Sequence, residues 1–268
     1  LRSIYMPIIN AKSEYLIPRG RAYFDPYDAS ERLTGEIDLG NCPGISLSIE
    51  TEKAEHFSSQ TGLREKDGSW VVQVQRTGAM QCDNFSPSNA ALWLTGSHEI
   101  KTQLATPVTD EERTVLPGRQ YQLGATGANP LGVRNVTDIT VTAKTGGTVY
   151  VAGTDYNVDT ETGRVQIIVG GAITEATAVL FGYKPVAGKF DSVKSGAKSE
   201  LTGALRVVSD NAAGGNRDWY LPKVTLTAGG DLTLIAEGTD VVVMEFEIEA
   251  LKPANAEAIY CDGRPVAN

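Results

Sequence analysis

Apolar and polar residues alternate with period two along much of the chain. Ile45, Leu47 and Ile49 alternate with Ser46, Ser48 and Glu50, and Trp70, Val72 and Val74 alternate with Val71, Gln73 and Gln75. Near the end, Met244, Phe246, Ile248 and Ala250 alternate with Glu245, Glu247 and Glu249. Successive strand residues project to opposite faces, so these runs predict antiparallel strands with one buried and one wet face. β-Branched and aromatic residues concentrate in Val136–Thr142 and Thr148–Val151, which read as further strands. The turn-like segment Asp159-Thr-Glu-Thr-Gly163 joins Thr148–Tyr156 to Arg164–Val169 as a hairpin.

One short helix is predicted over about residues 87–95. Ser86 is a good N-cap, Pro87 suits the first turn, and Gly96 can supply the left-handed residue that ends it. A helix this short is marginal alone in water, so it must lie against a sheet through Leu92, Trp93 or Leu94. The expected fold is all-β dominated: an antiparallel β-sandwich or half-barrel, with the flanking helix and a β-rich insertion. Thr106-Pro107 and Lys184-Pro185 mark the junctions, so residues 1–105 and 186–268 build the core and 106–185 the inserted unit.

Composition then narrows the function. In 268 residues, Lys plus Arg number 24 and Asp plus Glu 33, a net charge of −9. Binding to phosphate backbones or to anionic membranes draws on Lys and Arg, so neither is favoured. No apolar run approaches the ~18–20 residues of a membrane-spanning helix, and Leu1–Asn10 lacks a small-residue cleavage site. Neither membrane insertion nor a visible export signal is expected. Cys42, Cys82 and Cys261 form no C-x-x-C pair and read as free thiols acting as small hydrophobes in a reducing compartment. Two histidines, His56 and His98, leave little material for metal or acid–base chemistry.

The candidate motifs are weak. Asp155, Asn157, Asp159 and Glu161 imitate the alternate ligands of a calcium loop, but Thr160 stands where glycine turns that loop and Gln166 where glutamate closes it. A plain hairpin is the better reading, and no metal is expected. Gly182–Phe190 has a phosphate loop's composition, with one residue too many and Phe190 at the magnesium-ligating hydroxyl position. No G-x-S-x-G elbow occurs. Paired acids such as Asp110 and Glu111 lack a surrounding constellation, so no catalytic residue and no cofactor is assigned.

Two features carry more. Glu245, Glu247 and Glu249 project from one strand face roughly 7 Å apart. The plain reading is a solvated face with acids partly paired to cations on neighbouring strands. The functional one is a wall whose negative potential repels phosphates, with Asp231 and Glu237 as less secure members. Glu55 to Gly68 reads as a long polar connection in which Phe57 and Leu63 are odd residues to leave wet. It is either a flexible loop or a partner-contact loop made by Glu55, His56, Phe57, Ser58, Leu63 and Arg64.

At these residues the chain resembles the major tail tube proteins of long-tailed bacteriophages. The resemblance is carried by Gly35–Glu50, Glu55–Ser59, Thr61–Arg64, the Asn84–Gly96 helix, Gly203–Val207, Tyr220–Leu226, Asp231–Ile235 and the Val241–Leu251 strand. It implies a β-sandwich or half-barrel with one helix, six copies of which join sheet edges into a ring. Rings would stack into a tube around a tape measure protein, end at tail terminator and distal tail proteins, and conduct DNA without binding it specifically. The expected location is a virion tail assembled in the host bacterial cytoplasm. Residues 55–68 would reach an adjacent ring, Glu245, Glu247 and Glu249 would face the bore, and the middle unit would lie outside. The rival class is a β-sandwich module that recognises glycans or a host surface through Trp70, Trp219 and Tyr220.

Overall fold

A computed structural model describes residues 15–60, 62–196 and 200–265. The absence of an export signal in Leu1–Asn10 is a reading that lies outside the described residues, as does Thr61 of the tube-like motif. The chain divides into two compact units, Leu1–His98 with Val193–Asn268 as unit 1 and Glu99–Ser192 as unit 2.

The chain opens with β1 (Gly20–Pro26), β2 (Ile37–Asp38), β3 (Gly44–Ser58) and β4 (Glu65–Cys82), followed by α1 (Pro87–Trp93). Next come β5 (Ser97–Gln103), β6 (Val108–Val115), β7 (Gln120–Gln122), β8 (Val136–Ala143), β9 (Tyr156–Asp159), β10 (Arg164–Ile167), β11 (Thr177–Pro185) and β12 (Gly188–Lys194). It closes with β13 (Leu201–Ser209), β14 (Arg217–Gly229), β15 (Met244–Ala250) and β16 (Tyr260–Gly263). Strand dominates and, among the described residues, α1 is the one α-helix, so the all-β, sandwich-like class holds.

Unit 1 is one antiparallel sheet in the order β2-β1-β13-β14-β15-β4-β3, with β16 beside β14. Its core holds Phe24, Leu39, Met80, Leu205, Leu221, Leu226, Met244, Phe246 and Ile248. Strand β15 follows its sequence pattern: Met244, Phe246, Ile248 and Ala250 are buried, and the three glutamates between them are exposed. Burying a side chain such as Phe246 or Ile248 is worth about 1.5–3 kcal/mol.

Helix α1 covers this core through Leu92, with Trp93 packed beside it. The Ser86 hydroxyl accepts the Asn89 N–H at 3.1 Å, and Pro87 sits in the first turn. The buried Asn89 amide donates to the Leu39 and Asn84 carbonyls at 2.8 Å each, tying the helix start to the chain before β3. The helix end differs from expectation. Thr95, at φ 47°, takes the left-handed conformation, while Gly96 does not. Gly96 serves close approach instead: a Cβ there would come within 1.9 Å of the Lys194 carbonyl oxygen.

Unit 2 carries two three-stranded antiparallel sheets, β6-β11-β8 and β7-β10-β9. They enclose a separate core of Val115, Leu123, Val141, Tyr156, Val165, Ile167, Ile173, Val179 and Phe181. β5 and β12 pair as a two-stranded ribbon at its chain ends. The division therefore falls at Glu99 and Ser192, outside the junctions read at Thr106 and Pro185. The hairpin expected around Asp159–Gly163 forms, with Asp159 opposite Arg164. Thr148–Val151 makes an isolated bridge, Val149 with Thr142, instead of a strand.

Candidate functional site

Where β14, β15, β4 and β3 meet around Glu247, the wet face of the unit 1 sheet is acidic. Glu245, Glu247 and Glu249 lie opposite Gly229, Thr227 and Thr225 on β14. On β4 they face Gln81, Ala79 and Thr77, which in turn face Gly44, Ser46 and Ser48 on β3. Glu50 and Glu52 extend the same face, opposite Gln75 and Gln73. Lysine and arginine are absent from these positions, so the pairing of the row with cross-strand cations does not occur. Gln81 Nε2 donates to Glu245 Oε1 at 2.9 Å, and Trp93 Nε1 donates to the Glu245 carbonyl at 3.0 Å. Charges about 7 Å apart repel by about 0.6 kcal/mol in water. The mutual charge of this row therefore opposes the monomer's stability. Asp231 and Glu237 fall on the exposed connection between β14 and β15, not on the sheet face.

Glu55 to Gly68 is not a long loop. Glu55–Ser58 finish β3 and Glu65–Gly68 begin β4, so only residues 59–64 connect the two strands. Pairing with β15 stops at Thr77, leaving Glu65–Arg76 of β4 with β3 as its partner. This arm runs on the order of 40 Å past the sheet at about 3.3 Å per residue. The register shifts at Glu52/Lys53 and His56/Phe57, and such bulges bend and twist a ribbon. The six proposed contact residues gather at the tip: Arg64 stacks over the Phe57 ring at 5.4 Å, Lys66 pairs with Glu55, and His56 Nδ1 with Asp67.

The alternation at Trp70, Val72 and Val74 predicts a buried face, and the structure overturns that. Trp70 is 60% exposed and Val72 61%. Val74 and, across the ribbon, Ile49 prolong the core-facing side of the sheet, where Ile45 opposes Met80, while beyond the register shift Trp70 opposes Ala54; no described residue covers them. The sequence contains the stripe and reveals its period, but a chain's own pattern does not say whether the covering layer belongs to the same molecule. The exposed β14–β15 connection was also missed as a surface: Leu234 is 85% and Ile235 93% exposed.

The remaining candidates resolve as structural. The Asp155 carboxylate accepts the Val151 and Ala172 N–H groups, and these bonds hold it below the usual carboxylate range. Asp159 accepts the Thr162 hydroxyl and the Thr162 and Glu161 N–H groups, with the same result. Among the described residues, no three His, Cys, Asp or Glu side chains come together to hold a metal. Gly182–Pro185 end β11 and Gly188–Phe190 begin β12, so this segment is a strand-to-strand turn and not the strand-to-helix loop of a phosphate-binding motif. Asp110 and Glu111 are consecutive on β6 and point to opposite faces. Glu111 takes hydrogen bonds from Arg113, the Gly124 N–H and the Tyr183 hydroxyl, and it is a brace inside unit 2. Trp219 and Tyr220 are likewise consecutive on β14 and share no platform; Tyr220 stacks near Tyr260 and under Arg206.

Residues 15–257 match the protein family described as "Protein of unknown function UCP028589", a span that takes in all of unit 2. No curated protein matches the chain.

Proposed function

We propose that this chain, which belongs to that family, is a self-assembling structural subunit: the repeating unit of a bacteriophage tail tube, in which six-copy rings stack into a conduit for DNA. The observation that carries the reading is the β3–β4 arm. Among the described residues it is a hairpin with both edges unpaired beyond Thr77, and it holds the apolar side chains of Ile49, Trp70, Val72 and Val74 in water. A monomer gains nothing from such a feature. An open, partly apolar ribbon is an aggregation hazard unless a symmetric assembly caps it.

The rest of the surface supports the same reading. The outer margin of β3 carries Glu50, Glu52, Lys53 and Glu55, charges that discourage indiscriminate edge pairing and leave a partner to be chosen by complementarity. The cation-poor face around Glu247 suits a bore wall, since it repels the phosphates of passing DNA. In this reading the arm reaches the next ring, the tape measure protein fills the bore during assembly, and terminator and distal tail proteins close the ends. The virion tail is its location.

Negative-stain electron microscopy of the purified chain over a concentration series tests the proposal. Rings or stacked tubes with a central hole are the expected outcome. Monomers throughout, including after addition of a crowding agent, would overturn it.

A further inference from the structure

We propose that Cys42 and Cys82 form a built-in disulfide site at the root of the β3–β4 arm, reduced in a reducing compartment and closed on exposure to a small disulfide oxidant. The observation is geometric. The two sulfurs lie 3.0 Å apart, on segments 40 residues apart in sequence. A disulfide needs about 2.05 Å, so a small side-chain movement closes the gap.

The surrounding backbone holds the two segments together from both sides. Gly44 opposes Gln81 in the ladder on one side of the sulfurs. On the other, the Asp83 N–H donates to the Asn41 carbonyl at 3.2 Å, and the Asn41 amide donates to the Asp83 carboxylate at 2.6 Å. The thiols therefore meet without any search by the chain, which is what makes an intramolecular exchange fast. Cys261 lies elsewhere, on β16 opposite Trp219.

The two thiols are unequal in the way a stepwise closure requires. Cys82 is fully buried among Met80 and Met244, whereas Cys42 is partly exposed. The hydrogen bond from Cys82 lowers the Cys42 thiol below its ordinary value, and the same contact with burial pushes Cys82 up. Cys42 is thus the attacking thiolate. It displaces one thiolate from oxidised glutathione and becomes a mixed disulfide, the departing glutathione taking up the proton that Cys42 released. Capping Cys42 removes the neighbouring thiolate that kept Cys82 protonated. Cys82 then attacks the Cys42 sulfur and expels the second glutathione, which carries away the Cys82 proton. The two thiols are oxidised by two electrons, and one glutathione disulfide is reduced to two glutathiones.

The bond would join the residue two before β3 to the last residue of β4, closing a ring that contains the whole arm. This inference does not rest on the assembly reading, because it concerns the single chain. The test is performed on the full-length protein, purified with reductant, transferred to oxidised glutathione and mapped by mass spectrometry after alkylation and non-reducing digestion. A linked Cys42–Cys82 peptide pair is expected, with only Cys261 alkylated. The urea midpoint of the oxidised protein should lie above that of the reduced one, and reductant should reverse the shift. Cys261→Ser should behave as wild type, while Cys42→Ser should show neither the linkage nor the midpoint shift. Three alkylated cysteines after oxidation, a stable glutathione adduct on Cys42, or a Cys42 link between two chains would each overturn the proposal.

Discussion

Glu247 sits between Ala79 and Thr227 on the neighbouring strands, with Glu245 and Glu249 on its own strand about 7 Å to either side. No counter-charge opposes it, so removing its charge relieves repulsion. Glu247→Gln should raise the urea stability of the monomer by up to about 1 kcal/mol at low salt, from two repulsions of about 0.6 kcal/mol each in water, and the gain should shrink as salt is added. Glu247→Lys should leave tubes intact and lower DNA delivery, read as infectivity per assembled particle. Normal infectivity with intact tails would remove the bore assignment.

Other carboxylates act in the opposite sense. Arg264 and the Ser209 N–H hold Asp218 below the usual carboxylate range, and backbone N–H groups do the same for Asp155. A carboxyl whose folded value lies below its unfolded value of 3.8 adds stability at higher pH. That stability is lost as pH falls below 3.8 through the folded value. The urea midpoint should therefore drop on acidification into that window, and Asp218→Asn should flatten the drop.

Two strands with the same alternation behave differently. In β15, Phe246 is buried by its own chain, and Phe246→Ala should cost about 3–5 kcal/mol of monomer stability. In β4, Trp70 is exposed, and Trp70→Ser should change monomer stability by no more than about 0.5 kcal/mol. The same substitution should abolish polymer formation, scored by sedimentation of assembled material. Here lies the boundary of what the sequence made legible. Period two correctly placed the strands, because it reflects which side chains share a face. It did not separate β15 from the arm, because burial depends on a covering layer that a second copy can supply. Residues 55–68 looked like a loop for a related reason: with both faces wet, Glu55–Ser58 and Glu65–Gly68 show no alternation to mark them as strand. The end of α1 was misread because Gly96 is required for space and Thr95 bears the backbone strain. Spacing reports neither. Gly96→Ala should accordingly destabilise unit 1, since its Cβ has no room beside the Lys194 carbonyl.

At the scale of the whole molecule, a net charge of −9 opposes the self-association proposed for the arm. Raising salt shortens the reach of that repulsion to about 8 Å at physiological strength. The concentration at which polymer first appears should fall as salt rises, a dependence that light scattering can follow. The two cores are separate, and the match of residues 15–257 to one family includes both. Deleting 97–194 and closing the gap with two glycines should leave a unit 1 that unfolds in a single cooperative urea transition.

The crowding of Gly96 against Lys194 makes that deletion feasible, and it has a wider consequence. The polypeptide leaves the sheet and returns to it at neighbouring points, so the junction behaves as a socket. Any passenger domain whose own termini lie side by side can be plugged in there without shifting a single strand register in unit 1. Exchanging the passenger at this socket leaves the strand pairing of unit 1 unchanged, and the same position accepts a foreign payload.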